Sequence, residues 1–151
     1  PIFVIAPLLV LWFGYGITAK ILTTTFMLFF PVANNFLDGL KQTPENYLNL
    51  AHIMNSSRWQ TLYQIRIPAA LPNLASGIRI ATAMAPLGAI IGEWVGSSQG
   101  LGFLLLNANA QMQTGLMFAI LAVIFFFSIF IYFLIDKLLC LGMPWTLLKS
   151  H

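Results

Sequence analysis

Charged residues are scarce in this 151-residue chain, with four Asp or Glu and seven Lys or Arg making up 7% of the total. Soluble domains carry roughly 25%. With 59% of its residues apolar and 14% aromatic, the chain has too little polar surface for a water-facing fold. That composition excludes a soluble domain and places the chain in a lipid bilayer. Cysteine is reduced to Cys140 alone, which excludes an intrachain disulfide and falls short of a metal site. No Ser/His/Asp set, paired carboxylates, Cys/His cluster or nucleotide-binding motif is present, so neither catalysis nor a cofactor is expected. The positive residues behind the net charge of +3 are scattered, a pattern of loop charge and not of a nucleic-acid face.

The apolar runs are long. Residues 115–135 carry no charge and anchor a span over about 115–139, since roughly 20 apolar residues cross the hydrocarbon core. Residues 17–37 form a second span, with Lys20 near one end, where its stem can reach the interface. Residues 71–92 form a third, interrupted by Arg79, which must lie near the interface or be satisfied inside the protein. Residues 1–13 are apolar but short, and read as the remnant of a span whose beginning, with earlier helices, precedes Pro1. Lys41, Arg58 and Arg66 lie in the 38–70 loop, and Lys137 and Lys149 follow the uncharged stretch 115–135. Residues 93–114 have no Lys or Arg at all. The positive-inside rule therefore predicts that the 38–70 loop and the C-terminus are cytoplasmic and that 93–114 is external. Lys20 is the exception.

Between the second and third spans lies a polar, helix-patterned island, residues 43–72: TPENYLNLAHIMNSSRWQTLYQIRIPAALP. Thr43 is the expected N-cap of a short helix with Pro44 at its first position. Tyr47, Leu50, Ala51 and Met54 recur on one face. Asn55 suits a left-handed turn. Ser57 and Gln60 have the spacing of a capping box that starts a second helix. Pro68 is expected to end it. The pattern predicts a helix–turn–helix between membrane segments. A DNA-reading module is excluded by the lack of basic residues along the second helix and by the adjacent spans.

These residues resemble a family signature, the cytoplasmic loop of permease subunits of binding-protein-dependent ABC importers. That loop reads roughly E-A-A, three residues, G, nine residues, I-x-L-P. Counting back from Pro68, Ile67 takes the Leu place and Ile65 the Ile place. Asn55 stands where the family has glycine, and Asn49-Leu50-Ala51 stands at E-A-A, with Asn49 replacing the glutamate. The resemblance continues in LWFGYG at 11–16 and GEWVGSSQGLG at 92–102, and so covers nearly the whole chain. It implies an all-α polytopic bundle of about six helices in a bacterial inner membrane, with a cytoplasmic coupling loop. It also implies a second permease copy, a separate ATPase that hydrolyses ATP, and an extracytoplasmic substrate-binding protein. Coupling would be mechanical, through Asn49, Ala51, Asn55, Ser57, Arg58, Trp59, Tyr63 and Pro68. Trp59 and Tyr63 lie one turn apart on one face. They fit either an interface anchor or the aromatic belt at the headgroups. Within the family, the motifs are similar to those of the nitrate, sulfonate and taurine branch. That branch includes permeases for pyrimidine precursors of thiamine, towards which the run at 108–119 leans. A secondary transporter or a membrane scaffold without an ATPase is the alternative; no internal repeat favours the former.

Polar stripes mark candidates for a translocation path: Lys20, Thr24, Pro31 and Asn35 on the second span, and Thr82, Pro86 and Glu93 on the third. Interhelical hydrogen bonding is the competing reading. Pro86 is expected to kink its helix. Glu93 either acts at the external mouth or caps the helix ends of the loop that follows. Gly77, Ala81, Ala85 and Ala89, with the Gly88–Gly92 pair, suit close helix packing within the bundle or at a dimer interface. The glycine-rich run 96–102 lacks the lysine and preceding strand of a phosphate loop and reads as an external turn. Asn107 and Gln111 share a face that follows it. His52 stands alone and reads as surface.

Overall fold

The computed structural model describes residues 2–142, with side chains from residue 4 onward; Lys149 lies outside the described residues. The described residues are helical, with no strand among them. The order is α1 (Ile2–Phe13), α2 (Ile17–Lys41), α3 (Glu45–Ile53), α4 (Arg58–Thr61), a π-turn (Leu62–Arg66), α5 (Ile67–Gly96), α6 (Leu101–Ala110) and α7 (Thr114–Gly142). Three helical stretches are long and apolar enough to cross a membrane: Ile17–Lys41, Arg58–Gly96 and Thr114–Gly142. In lipid the backbone must satisfy its own polar groups, and a helix does so within one segment.

The chain forms two compact units. The first comprises residues 1–29 and 81–135. In it, α1 ends at Gly14, whose φ of +76° is left-handed and whose N–H reaches back to Val10 O at 2.8 Å. The glycines of α5 face α2: a Cβ on Gly88 would meet Thr24 Cγ2 at 3.1 Å, and one on Gly92 would meet the Lys20 Cα at 3.2 Å. The helix α6 closes with Met112 at φ +55°, with Gln113 N–H on Ala108 O and Met112 N–H on Asn109 O. That pair of bonds is a Schellman motif.

The second unit comprises residues 30–80 and 136–151. Here α2 again meets α5 through glycine. A Cβ on Gly77 would lie 3.0 Å from the Val32 Cα and 3.2 Å from Pro31 O, and one on Gly39 would lie 3.0 Å from the Ala70 Cα. Small residues thus serve close packing of helices within the chain, as expected where van der Waals contact replaces the hydrophobic effect. Gly77→Val should overpack this seam at backbone atoms that cannot step aside, a cost of about 1–3 kcal/mol. A lowered melting temperature of the detergent-solubilised full-length subunit, read by fluorescence-detected size exclusion, checks this.

Two sequence expectations about helix ends are corrected. Pro44, not Thr43, is the N-cap of α3, with ψ 135° and no side-chain cap. Thr43 precedes a proline and is held extended. Its buried hydroxyl donates instead to Leu40 O at 3.0 Å, one of the carbonyls left over at the end of α2. Nor does Pro68 stop the helix, since α5 begins at Ile67 and runs through Pro68, Pro72 and Pro86. Proline lacks an N–H, and its ring crowds the carbonyl four residues back, here Gln64. The preceding π-turn, in which the Ile67 N–H reaches Leu62 O five residues back, is the adjustment that lets the helix continue.

Candidate functional site

The turn between α3 and α4 is built by two local devices. Asn55 adopts φ +53°, its N–H bonds to His52 O at 3.1 Å, and Ser56 N–H bonds to Ala51 O at 3.0 Å. This is a second Schellman motif, and it requires the left-handed residue at the position where the family signature has glycine. Asparagine meets that requirement because its short polar side chain tolerates the conformation. Ala51 is 3% exposed beneath the turn, so the site has no room for a larger side chain. Ser57 then opens α4 with the capping box read from the sequence: Gln60 N–H donates to Ser57 Oγ at 3.3 Å, and Ser57 N–H to Gln60 Oε1 at 2.9 Å. Asn55→Val places a β-branched residue at positive φ, where Asn55→Gly does not. The valine variant should lose about 1–3 kcal/mol and the glycine variant almost nothing. Limited proteolysis of the loop in the full-length subunit checks both.

On the outer face of this turn, Trp59 and Tyr63 stack with ring centroids 6.4 Å apart and planes at 25°. They remain 70% and 65% exposed. The apolar face of α3 is open as well: Tyr47, Leu50 and Met54 are exposed and Ala51 alone is buried, so the amphipathic stripe stays largely uncovered by the described residues. Asn49 is exposed beside it. The four residues of α4 and the π-turn thus carry a stacked, exposed aromatic pair.

The polar stripes resolve differently. Thr24 Oγ1 donates to Lys20 O at 2.9 Å, and Asn35 Nδ2 to Pro31 O at 2.8 Å, so both side chains return to their own helix while facing the glycines of α5. In the first unit a recess brings Lys20, Thr24 and Glu93 together, with Thr25 and Ala89. Pro86 is elsewhere, in an apolar recess with Leu121, Phe125 and Tyr132 of α7. Thr82 lies in the first unit and Asn35 in the second. The carboxylate of Glu93 accepts the Gly102 N–H at 2.6 Å and caps the first turn of α6. Gly100, at φ +124°, lies so close that a Cβ there would run into that carboxylate. The Lys20 ammonium donates to Gln99 O at 3.1 Å, which ties the start of α2 to the same loop.

Sequence reasoning flagged Arg79 and missed its partner. Arg79 Nε donates to Asp136 Oδ1 at 2.6 Å, the one ion pair among the described residues, with both side chains about one-third exposed. Cys140, one turn further along α7, lies 3.9 Å from the same guanidinium. The sequence pattern carries no signal for the pair, since the two residues are 57 positions apart.

Long apolar helices packed through glycine, joined by a polar helical turn with an exposed aromatic pair, define a polytopic membrane protein. Residues 1–139 match the family of binding-protein-dependent transport system inner membrane components, and the chain belongs to that family. It is similar to a probable ABC transporter permease protein of Haemophilus influenzae, 53% identical over 139 residues, which are 92% of this chain and 57% of the relative. It is also similar to the formylaminopyrimidine transport permease protein ThiX of Halalkalibacterium halodurans, 36% identical over 145 residues, 96% of this chain and 58% of the relative. The riboflavin transport system permease protein RibX of Chloroflexus aurantiacus is 35% identical over 145 residues, 96% of this chain and 54% of that protein. The chain therefore spans somewhat more than half the length of these relatives. No solved structure matches it.

Proposed function

We propose that the full-length protein is the membrane-spanning subunit of an ATP-driven importer and that residues 38–70 are its cytoplasmic coupling loop. The observation that carries this reading is the Trp59–Tyr63 stack, held exposed by a capped and Schellman-closed turn inside the family's signature segment. A separate ATPase grips that face and its closure moves α5, while hydrolysis happens entirely on the partner. Ser57, Asn55, Ala51 and Pro68 shape the loop, Trp59 and Tyr63 anchor the contact, and Asn49 and Arg58 border it. A second permease copy completes the pathway, and residues 93–114 face the extracytoplasmic binding protein. The spans are α2, α5 and α7. The positive residues of the 38–70 loop support the cytoplasmic assignment.

For the path, the recess of Lys20, Thr24 and Glu93 is the favoured element, because it gathers polar groups at one end of apolar helices. Asn35, Thr82 and Pro86 contribute to helix packing in this reading. The transported solute is a nitrogen heterocycle of the kind named for the formylaminopyrimidine and riboflavin permeases, since similarity to both covers 96% of this chain. A sulfonate or taurine-like solute is the alternative within the family. The experiment is purification of the tagged full-length subunit from membranes with its partners. Co-purification of an ATPase whose turnover rises with the binding protein and a pyrimidine supports the reading. A stable subunit that carries no ATPase sinks it and favours a secondary transporter or a scaffold.

A further inference from the structure

Beside the stacked aromatics, α3, α4 and the π-turn border a recess of about 590 Å³ lined by Arg58 and Arg66 together with Ala51, His52, Ser56 and Thr61. That is the size of a site for a whole side chain or a small ligand. Arg58 opens α4 and Arg66 ends the π-turn, and both line the recess. In an α-helix, residues four apart drift by roughly 40° per step, so 58, 62 and 66 would fan apart. The wider π-turn at Leu62–Arg66 offsets the drift, and Arg58, Leu62 and Arg66 all border the recess.

No acidic group answers them. Among the described residues the one ion pair is Arg79–Asp136, so no carboxylate lies within salt-bridge distance of Arg58 or Arg66. Glu45 is the only acid between residues 39 and 92 and is not among the lining residues, while Asn49 occupies the place where the family signature has glutamate. Two arginines lining one recess with the hydroxyls of Ser56 and Thr61 and the small side chain of Ala51 suit a carboxylate on a short apolar stem.

We propose that this recess receives a carboxylate side chain of the ATPase subunit that docks on Trp59 and Tyr63. The inference rests on the coupling-loop reading and adds the chemistry of the partner: an acidic residue on a protruding element. Continuity with the exposed aromatic face favours a protein carboxylate over a phospholipid headgroup, which shares the anionic chemistry.

The test measures ATPase association with the full-length subunit in nanodiscs, neutral or containing phosphatidylglycerol. Arg58→Gln with Arg66→Gln should weaken association at least about tenfold in both lipids and flatten its salt dependence. Lysine replacement of one acidic ATPase residue should restore binding to the Arg58→Glu, Arg66→Glu subunit. Should the glutamine variant not assemble, salt titration of the unmodified complex still decides, because salt-independent association overturns the proposal. Unchanged affinity in the glutamine variant, with binding lost in Trp59→Ala, Tyr63→Ala, overturns the recess and leaves the coupling reading standing. Retained binding in the aromatic variant overturns both. A loss seen only with phosphatidylglycerol assigns the recess to lipid and overturns the ATPase carboxylate.

Discussion

Replacing Asp136 by leucine should leave the full-length subunit unable to accumulate as a folded membrane protein, and replacing Arg79 in the same chain should restore it. The Arg79 guanidinium sits in a spanning helix and is held by Asp136 at 2.6 Å. Removing the aspartate leaves a cation with no counter-ion, and an unpaired arginine at membrane depth costs about 2.5–3.5 kcal/mol on insertion scales and more in simulations. Removing both charges eliminates that penalty, because no unpaired charge is left in the spanning segment. The ordering is therefore specific: Asp136→Leu worst, Arg79→Leu milder, the double variant close to the unmodified protein. Fluorescence-detected size exclusion of tagged subunits would reveal it. Equal losses for all three would show that the two charges act separately.

Trp59→Ala with Tyr63→Ala should abolish uptake and ATPase association while leaving membrane insertion intact. Both rings are exposed, so their truncation removes little from the fold. As paired interface anchors each is expected to contribute about 2 kcal/mol or more to docking, or roughly thirtyfold in affinity for each ring. Uptake in whole cells and co-purification of the ATPase, each normalised to subunit in the membrane, provide the measurement. If the rings instead lie among headgroups, association survives and insertion or orientation suffers. Tyr63→Phe separates the two further, because it keeps the stack and removes only the hydroxyl.

Composition and hydropathy were enough to read an all-helical membrane protein, because seven Lys/Arg and four Asp/Glu leave no other solvent for the chain. Asn55 and the Ser57–Gln60 box were legible because each device depends on neighbours within a few residues. The failures have separate causes. Proline rules assume a standard helix, and the π-turn before Pro68 changes the ring size that the rule presupposes. Thr43 was claimed by the helix before it, a competition that spacing does not rank. Long-range partners were out of reach of pattern. Asp136 is 57 residues from Arg79, and the stripe of Thr24 and Asn35 turned out to face glycines. Polar residues at helical spacing look the same whether they line a path or bond back to their own backbone.

The glycine seam of the second unit has a mechanical meaning. At Gly77 and at Gly39 the surfaces of α2 and α5 meet with no long side chain between them to bend. A flexible side chain at such a junction would act as a spring and absorb a small displacement; these contacts leave nothing to compress. The segment bearing Trp59 runs without a break into α5, which in this unit is keyed to α2 at two points. Under the proposed coupling role, torque delivered to the Trp59 face would be taken up by both helices together, as a splined shaft turns with its sleeve.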